Sequence, residues 1–455
     1  MSCERNEKQL PKNWVWTKLG DIAEIILGQS PPSSTYNELG KGLPFYQGKL
    51  EFGKTYPITQ KWCIEPKKMA ETGDVLISVR APVGPTNVCP ERSCIGRGLA
   101  AVKGLGGIET FFILYLLRSY EQVLAGKGTG TTFSAISGGQ LRGLEIPIPP
   151  LNEQHRIVGK VEELFSFLDA GVGSLRKVKA QLKRYRQAVL KYAFEGKLTE
   201  EWRKTHKEQI DPETGKLEQI SQENDTKLPK LPKEWLWTRL ELITANHDGK
   251  RVPVSRKKRR SMKGIYPYYG ASGIIDSVND YIFDGNFLLI GEDGANLLAR
   301  STPIAFQAKG KFWVNNHAHV LALVEGTPTA YLEHYINGIS LAKYVTGTAQ
   351  PKLTQRNMNN IPIPLAPLNE RNKIAEEIDR RFSVIGEMVN EMESAFIRSV
   401  RLRRSILRTA FEGKLLPQHS DDESAERLLE RIKVERANNR KSRIGNQLEL
   451  SQYVK

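Results

Sequence analysis

The stretch "IPIPPLNEQHRI" at residues 146–157 returns as "IPLAPLNERNKI" at residues 363–374, a shift of 217 positions. At the same shift "TGTTFSAIS" from Thr129 meets "TGTAQPKLT" from Thr346, and "RYRQAVLKYAFEGKL" from Arg184 meets "RLRRSILRTAFEGKL" from Arg401. The register holds without a gap and about a third of the aligned residues are identical, so the chain carries an internal duplication. A further pair, "LPKNWVWTKLGDI" from Leu10 and "LPKEWLWTRLELI" from Leu231, aligns at a slightly different shift. Between these anchors the two copies differ almost completely. Each half therefore consists of a start signal, a divergent region of about 130 residues and a shared C-terminal segment. An enzyme with one active site has little use for two such sets; two similar tasks do.

The shared segment is the easier to read. "PLNE" closes a proline-rich strand and opens a helix, with Asn152 able to cap and Glu153 in the first turn, where the helix dipole favours a carboxylate. Val161, Leu164, Leu168, Leu175, Val178, Leu182, Tyr185, Val189 and Tyr192 follow at steps of three and four, with Gly171 at one core position. That period predicts a coiled-coil seam rather than one helix of an ordinary bundle. In the second copy Ile378, Ile385, Met388, Met392, Ala395, Leu402 and Ile406 keep the register, interrupted at Arg381 and Ser399. Gly196 and Gly413 stop both helices at the same point. The divergent regions mix short β-branched runs such as "DVLISV" and "NFLLIG" with Gly, Pro and Asn turns, and each ends in one apolar helix, "ETFFILYLLRSY" or "TAYLEHYINGI". Residues 205–227 are polar and aperiodic, as in a linker, and "SAERLLERIKVERANNRKSR" reads as an amphipathic helix with a basic end.

With 67 Lys+Arg against 51 Asp+Glu the formal net charge is +16, which favours a polyanionic partner. The chain opens without an apolar leader and has no run of the roughly 18 apolar residues a membrane span needs, so a cytoplasmic location is expected, with no membrane partner. Cys3, Cys63, Cys89 and Cys94 lack the spacing of a zinc knuckle and read as ordinary thiols. Motifs of catalysis are missing. "QSPPSS" places Ser30, Pro31 and Pro32 as in the [DNS]PP[YFW] loop of amino-methyltransferases, but Ser33 stands where the stacking aromatic belongs, so it reads as a turn. No GxxxxGK[ST] loop exists. Glu292 beside Asp293, and His317 two residues from His319, are metal-ligand types without a completed set, so no metal site is expected.

Nucleic-acid features are clearer. Arg251, Arg256, Lys257, Lys258, Arg259, Arg260 and Lys263 precede "YPYYGASG", setting phosphate-seeking charge beside aromatic and small residues, among them Tyr269 and Ser272. The first half offers Tyr46, Gln47 and Lys49 in "FYQGK", Arg80 in "SVRAPVG" and Arg97 in "IGRG". Asn316, and the threonines Thr129, Thr131, Thr346 and Thr348 of the repeated "TGT", complete the DNA-contact candidates. Arg, Lys, Gln and Asn are the side chains able to read base edges in the major groove.

Two divergent regions, each followed by "PLNE" and a long helix ending in "AFEGKL", the first running on into "TEEWR", resemble the specificity subunit of type I restriction-modification enzymes over nearly the whole chain. "IPIPPLNEQHRIVGKVEELF", "RQAVLKYAFEGKLTEEWR" and "SAERLLERIKVERA" carry the likeness most strongly. The resemblance implies an α+β fold with a pseudo-two-fold internal repeat: two globular α/β target recognition domains, at 1–150 and 229–367, joined by two long antiparallel coiled-coil helices, at 151–198 and 368–416. Residues 199–228 would be a linker and 417–455 a helical tail. It further implies a non-catalytic subunit that binds double-stranded DNA at a bipartite, asymmetric site, one domain per half, with the helices as a ruler across the spacer. Two methylation subunits carrying S-adenosylmethionine would dock on the shared helices, with Phe194, Glu195, Lys197, Trp202, Phe411, Glu412 and Lys414 as interface candidates, and restriction subunits would bring ATP and Mg; this chain would bind no cofactor. After the second "AFEGKL" the chain reads "LPQHS" instead of "TEEWR", so the two docking surfaces need not be equal. A free-standing adenine methyltransferase or nuclease would need a cofactor loop and an aromatic-ended PP motif. A coiled-coil adaptor would not need the basic cluster before Tyr268.

Overall fold

The structure, a computed structural model, describes residues 10–128, 135–209, 228–324, 326–347 and 349–452, the side chains of residues 209 and 439–452 apart. Two compact units emerge: residues 1–174 with 394–455, and residues 175–393. The division cuts both long helices, Leu151–Phe194 and Leu368–Phe411, near their middles, so each unit holds one divergent region and half of each helix. Domain limits set at the helix starts therefore do not coincide with the compact units, because the helix ends belong to the domain cores. Ile157, Val158 and Val161 join Leu407, Ala410 and Phe411 in the first core; Val189, Leu190 and Ala193 join Ile374 and Ile378 in the second.

In the first unit a four-stranded antiparallel sheet runs Ala23–Leu27, Leu99–Gly104, Val75–Ser78, Thr86–Val88, with the helix Thr110–Ser119 against it. A second sheet contains the parallel pair Leu43–Tyr46 and Ser93–Ile95. The second unit merges the equivalent strands into one six-stranded sheet, in which Phe283–Gly291 lies between Ala318–Leu323 and Ala305–Val314, and the helix Thr329–Gly338 packs against it. "DVLISV" and "NFLLIG" are central strands because both faces are covered, which continuous apolar runs permit.

Within each unit the two long helices are antiparallel. Lys179 meets Glu393 at 3.0 Å while Arg381 donates to the Tyr185 hydroxyl at 2.9 Å in the second unit; in the first, Arg403 binds Asp169. Ile378, Ile385 and Met392, seven apart, are buried as a coiled-coil seam requires. The seam is narrower than the sequence suggests. Val178, Tyr185, Tyr192, Met388 and Leu402 are exposed, since a lone helix pair covers only a thin stripe and the tyrosine hydroxyl needs a polar partner. Arg381 is no defect, because its guanidinium serves both Tyr185 and Glu377. The first helix begins at Leu151, which leaves Asn152 inside the first turn instead of capping it. Among the described residues no helix is long and apolar enough to cross a membrane.

Candidate nucleic-acid interface

One edge of the first unit gathers several sequence candidates. Where the parallel strands end, Gly96 N–H donates to the Tyr46 carbonyl at 2.8 Å, Val79 N–H to that of Gly98 at 2.9 Å, and Arg97 N–H to Ser30 Oγ at 3.3 Å. A Cβ at Gly98 would lie 2.2 Å from the Gln47 carbonyl oxygen, so only glycine lets these loops approach so closely. Gln47, Arg80 and Arg97 consequently stand on neighbouring, hydrogen-bonded segments, all exposed, and none makes a side-chain hydrogen bond or ion pair among the described residues. Lys49 is exposed just beyond. Tyr46 is different: it is fully buried, its hydroxyl 2.9 Å from Thr59 Oγ1, so it supports the edge and cannot stack on a base.

The second unit repeats this frame with other side chains. Tyr268 and Tyr269 pair in parallel with Trp313 and Val314 as Phe45 and Tyr46 do with Cys94 and Ile95. Asn315 N–H donates to Tyr269 at 3.1 Å and Glu292 N–H to His317 at 2.8 Å, the counterparts of the bonds from Gly96 and Val79. The isolated bridge Arg80 to Ala135 returns as Asp293 to Lys352. Arg97 thus corresponds to Asn316, Arg80 to Asp293 and Gly98 to His317. Asn316 and Ser272 are exposed; Thr346 is exposed too, its hydroxyl 3.3 Å from the Lys352 carbonyl. Thr129, Thr131 and Thr348 lie outside the described residues.

Behind this edge lies an ion-pair network. His319 Nδ1 is 2.5 Å from Asp248 and its Nε2 2.8 Å from the Leu353 carbonyl; Arg251 binds Glu292 at 2.7 Å, and Lys352 binds it at 3.1 Å. Burial pushes the carboxyls of Asp248 and Glu292 up, but the bonds from His319 and Arg251 respectively outweigh it and hold both below the ordinary range. Arg251 is therefore committed to the interior and is not a free DNA contact. Asp248, Glu292 and His319 bring ligand-type atoms within 4.8 Å of one another, yet Arg251 and Lys352 already neutralise them. His317 does not join His319: it lies exposed against Asp293 at 2.7 Å, because the strand starts only at Ala318.

The basic run forms the short helix Arg256–Ser261, capped by Ser255, whose side chain accepts from Lys258 N–H. Arg256, Lys257, Lys258 and Arg260 are exposed. Arg259 turns inward, binding Asp276 at 2.8 Å and the Val254 carbonyl at 2.6 Å, its guanidinium 4.7 Å from the Tyr268 ring centre. Tyr268 and Tyr269 are buried, so the expected stacking surface is instead core.

The candidates in the repeated helix ends divide similarly. Phe194 is buried edge-on to Tyr331 and Tyr335, and Phe411 edge-on to Phe112, so both rings are spent on their own unit. Lys197 and Lys414 are exposed, paired with Glu195 at 2.6 Å and Glu412 at 3.1 Å; Trp202 stacks on His206. The residues that sequence reasoning undervalued are Glu153 and Glu370. Trp14 Nε1 donates to Glu153 at 3.0 Å and Trp235 Nε1 to Glu370 at 2.9 Å. The signal was present, since the Trp of "LPK-W" and the Glu of "PLNE" both recur. "AFEGKL" completes each anchor: Gly196 and Gly413 take φ of 72° and 68°, and a Cβ on either would lie 2.3 Å from Pro232 or Pro11. The partners cross between copies, because the first "AFEGKL" closes on the second "LPKEW" and the second on the first "LPKNW". Residues 199–205 are accordingly no linker, for Thr199 and Arg203 both bind Glu370.

Two α/β regions on one frame, with unlike exposed edges and the same Trp-to-Glu bond anchoring each to the paired helices, define a duplicated recognition protein. The family model described as "Type I restriction modification DNA specificity domain" matches residues 11–182 and again 233–386. The chain belongs to this family: it is a type I restriction-modification specificity subunit, the non-catalytic DNA-recognition component, with two target recognition domains. It is 24% identical to the type I restriction enzyme EcoDI specificity subunit of Escherichia coli over 94% of this chain and 96% of that one. It is 38% identical to the putative MjaX specificity subunit of Methanocaldococcus jannaschii over 42% of this chain and 44% of that protein. The fold matches a solved chain from a type I R-M system (TM-score 0.67, 18% identity, 90% of this chain and 100% of that one). It also matches the HsdS subunit from Thermoanaerobacter tengcongensis (TM-score 0.53, 19% identity, 89% and 98%).

Proposed function

We propose that each unit reads one half of a bipartite, asymmetric DNA site, and that the long helices set the spacing between the halves. Two methylation subunits dock on the shared helices and carry S-adenosylmethionine; restriction subunits bring ATP and Mg, and this chain contributes specificity without a cofactor. A cytoplasmic location follows from a chromosomal target. One observation supports this reading above others: equivalent hydrogen bonds hold two equivalent edges, yet one presents Arg80 and Arg97 and the other Asn316 beside a half-buried Asp293 paired with His317. A shared frame with exchanged side chains suits one reading task applied to two sequences. Exchanging residues 229–367 for another recognition domain of the family should change one half of the methylated site and spare the other. Methylome sequencing that showed both halves altered would sink the modular reading.

A further inference from the structure

We propose that Gln29 is a specificity-determining residue that reads one base pair of the half-site bound by the first unit; the inference rests on the DNA-reading function above. Gln29 follows the strand Ala23–Leu27, in the "QSPPSS" segment that reads in sequence as a plain turn. Its N–H donates to the Ile95 carbonyl at 3.0 Å, and the next side chain, Ser30, accepts from Arg97 N–H. A Cβ on Gly96, between Ile95 and Arg97, would lie 3.3 Å from the Gln47 Cα, so Gln29, Arg97 and Gln47 leave adjoining backbone segments. The loop is fixed from behind as well: the Tyr36 hydroxyl donates to the Pro31 carbonyl at 2.7 Å and the Thr35 hydroxyl to that of Pro32 at 2.8 Å. Gln29 itself is exposed and makes no side-chain hydrogen bond among the described residues.

A carboxamide on a firmly held backbone, beside guanidiniums that have no partner among the described residues, suits base edges better than phosphate. It offers one donor and one acceptor, the pattern of adenine N7 and N6, whereas phosphate selects cations. Counted from the "LPK-W" anchors, the same position in the second unit is Lys250, also exposed, but it ends the short turn Asp248–Lys250 and its N–H donates to the His247 carbonyl at 3.0 Å, so the two units present different side chains on different local backbones.

The test uses the complex assembled with its methylation subunits. Gln29→Ala should lower discrimination for adenine at one base pair of one half-site about 5- to 150-fold, leaving the other half and the salt dependence unchanged. Gln29→Glu, which can only accept, should move the preference at that same pair towards cytosine. Both variants keep the backbone bond to Ile95, and a thermal melt compared with wild type verifies the fold. Unchanged selectivity in both folded variants would overturn the role of Gln29 while leaving DNA recognition by the unit intact. A uniform loss over all sequences with a shallower salt slope would also overturn it, as the mark of a phosphate contact. Failure of the reading beneath it would appear separately, as recognition-domain exchanges that leave the methylated site unaltered.

Discussion

Glu153 and Glu370 occupy the same place in the two copies and are held by different chemistry. Glu370 receives Trp235, Thr199 and the Arg203 guanidinium, at 2.9, 2.6 and 2.8 Å. Glu153 receives Trp14 and the neutral amide of Gln418, the latter at 2.7 Å. Burial pushes the Glu153 carboxyl up, and the bonds from Gln418 and Trp14 pull it back only in part. The nearby cation, Arg156, instead pairs with Asp422 and holds that carboxyl low. "TEEWR" and "LPQHS" thus do one job, closing a buried glutamate, with a charge in one unit and an amide in the other. Duplicated geometry does not need duplicated electrostatics, provided that each buried oxygen finds a donor.

The contrast is open to direct attack. Arg203→Ala leaves Glu370 buried without its cation and should cost about 3–5 kcal/mol, against about 1 kcal/mol for Gln418→Ala in the first unit. Hydrogen-exchange protection read separately in each unit measures both, and equal losses would break the comparison. At the interface, replacing Arg256, Lys257, Lys258 and Arg260 with alanine should lower the salt slope of DNA binding by about 0.9 per lost phosphate contact. Arg259→Ala should leave the slope almost unaltered and loosen the strand that Asp276 belongs to, because its charge is already spent. The smallest effect is expected at Glu153→Gln, which keeps a group for Trp14 and removes a charge that burial penalises; stability at neutral pH should stay within about 1 kcal/mol of wild type. The sign is set by linkage. With the folded-state pKa above the unfolded one, ionised Glu153 costs stability at neutral pH, and that cost fades as pH falls through the folded pKa. Wild type should therefore gain stability relative to the variant as pH falls; a relative loss on acidification would mean that the carboxylate is stabilising.

Heptad spacing marked Ile378, Ile385 and Met392 because helix geometry alone decides which residues share a face. It could not separate them from Met388 or Leu402, whose burial depends on how much surface a partner covers. Residue type flagged Arg80, Arg97 and Arg251 alike. Among the described residues only the first two lack a side-chain hydrogen bond or ion pair, since the partners of Arg251 include Glu292, 41 positions away in the chain. Tyr46 and Tyr269 were equally plausible stacking rings until the parallel strand pair placed them beneath the edge.

By itself the amino-acid sequence determined the duplication, the two long helices with their glycine stops, the family, and the division into two divergent halves, because repetition and periodicity are properties of order along a chain. Tertiary structure alone decided which charges are spent inside, that each "AFEGKL" closes on the other copy's "LPK-W", and that Gln29 stands beside Gln47 and Arg97. Ion pairs and close backbone contacts act over a few ångströms, and residues that meet at that range are set by the path of the fold.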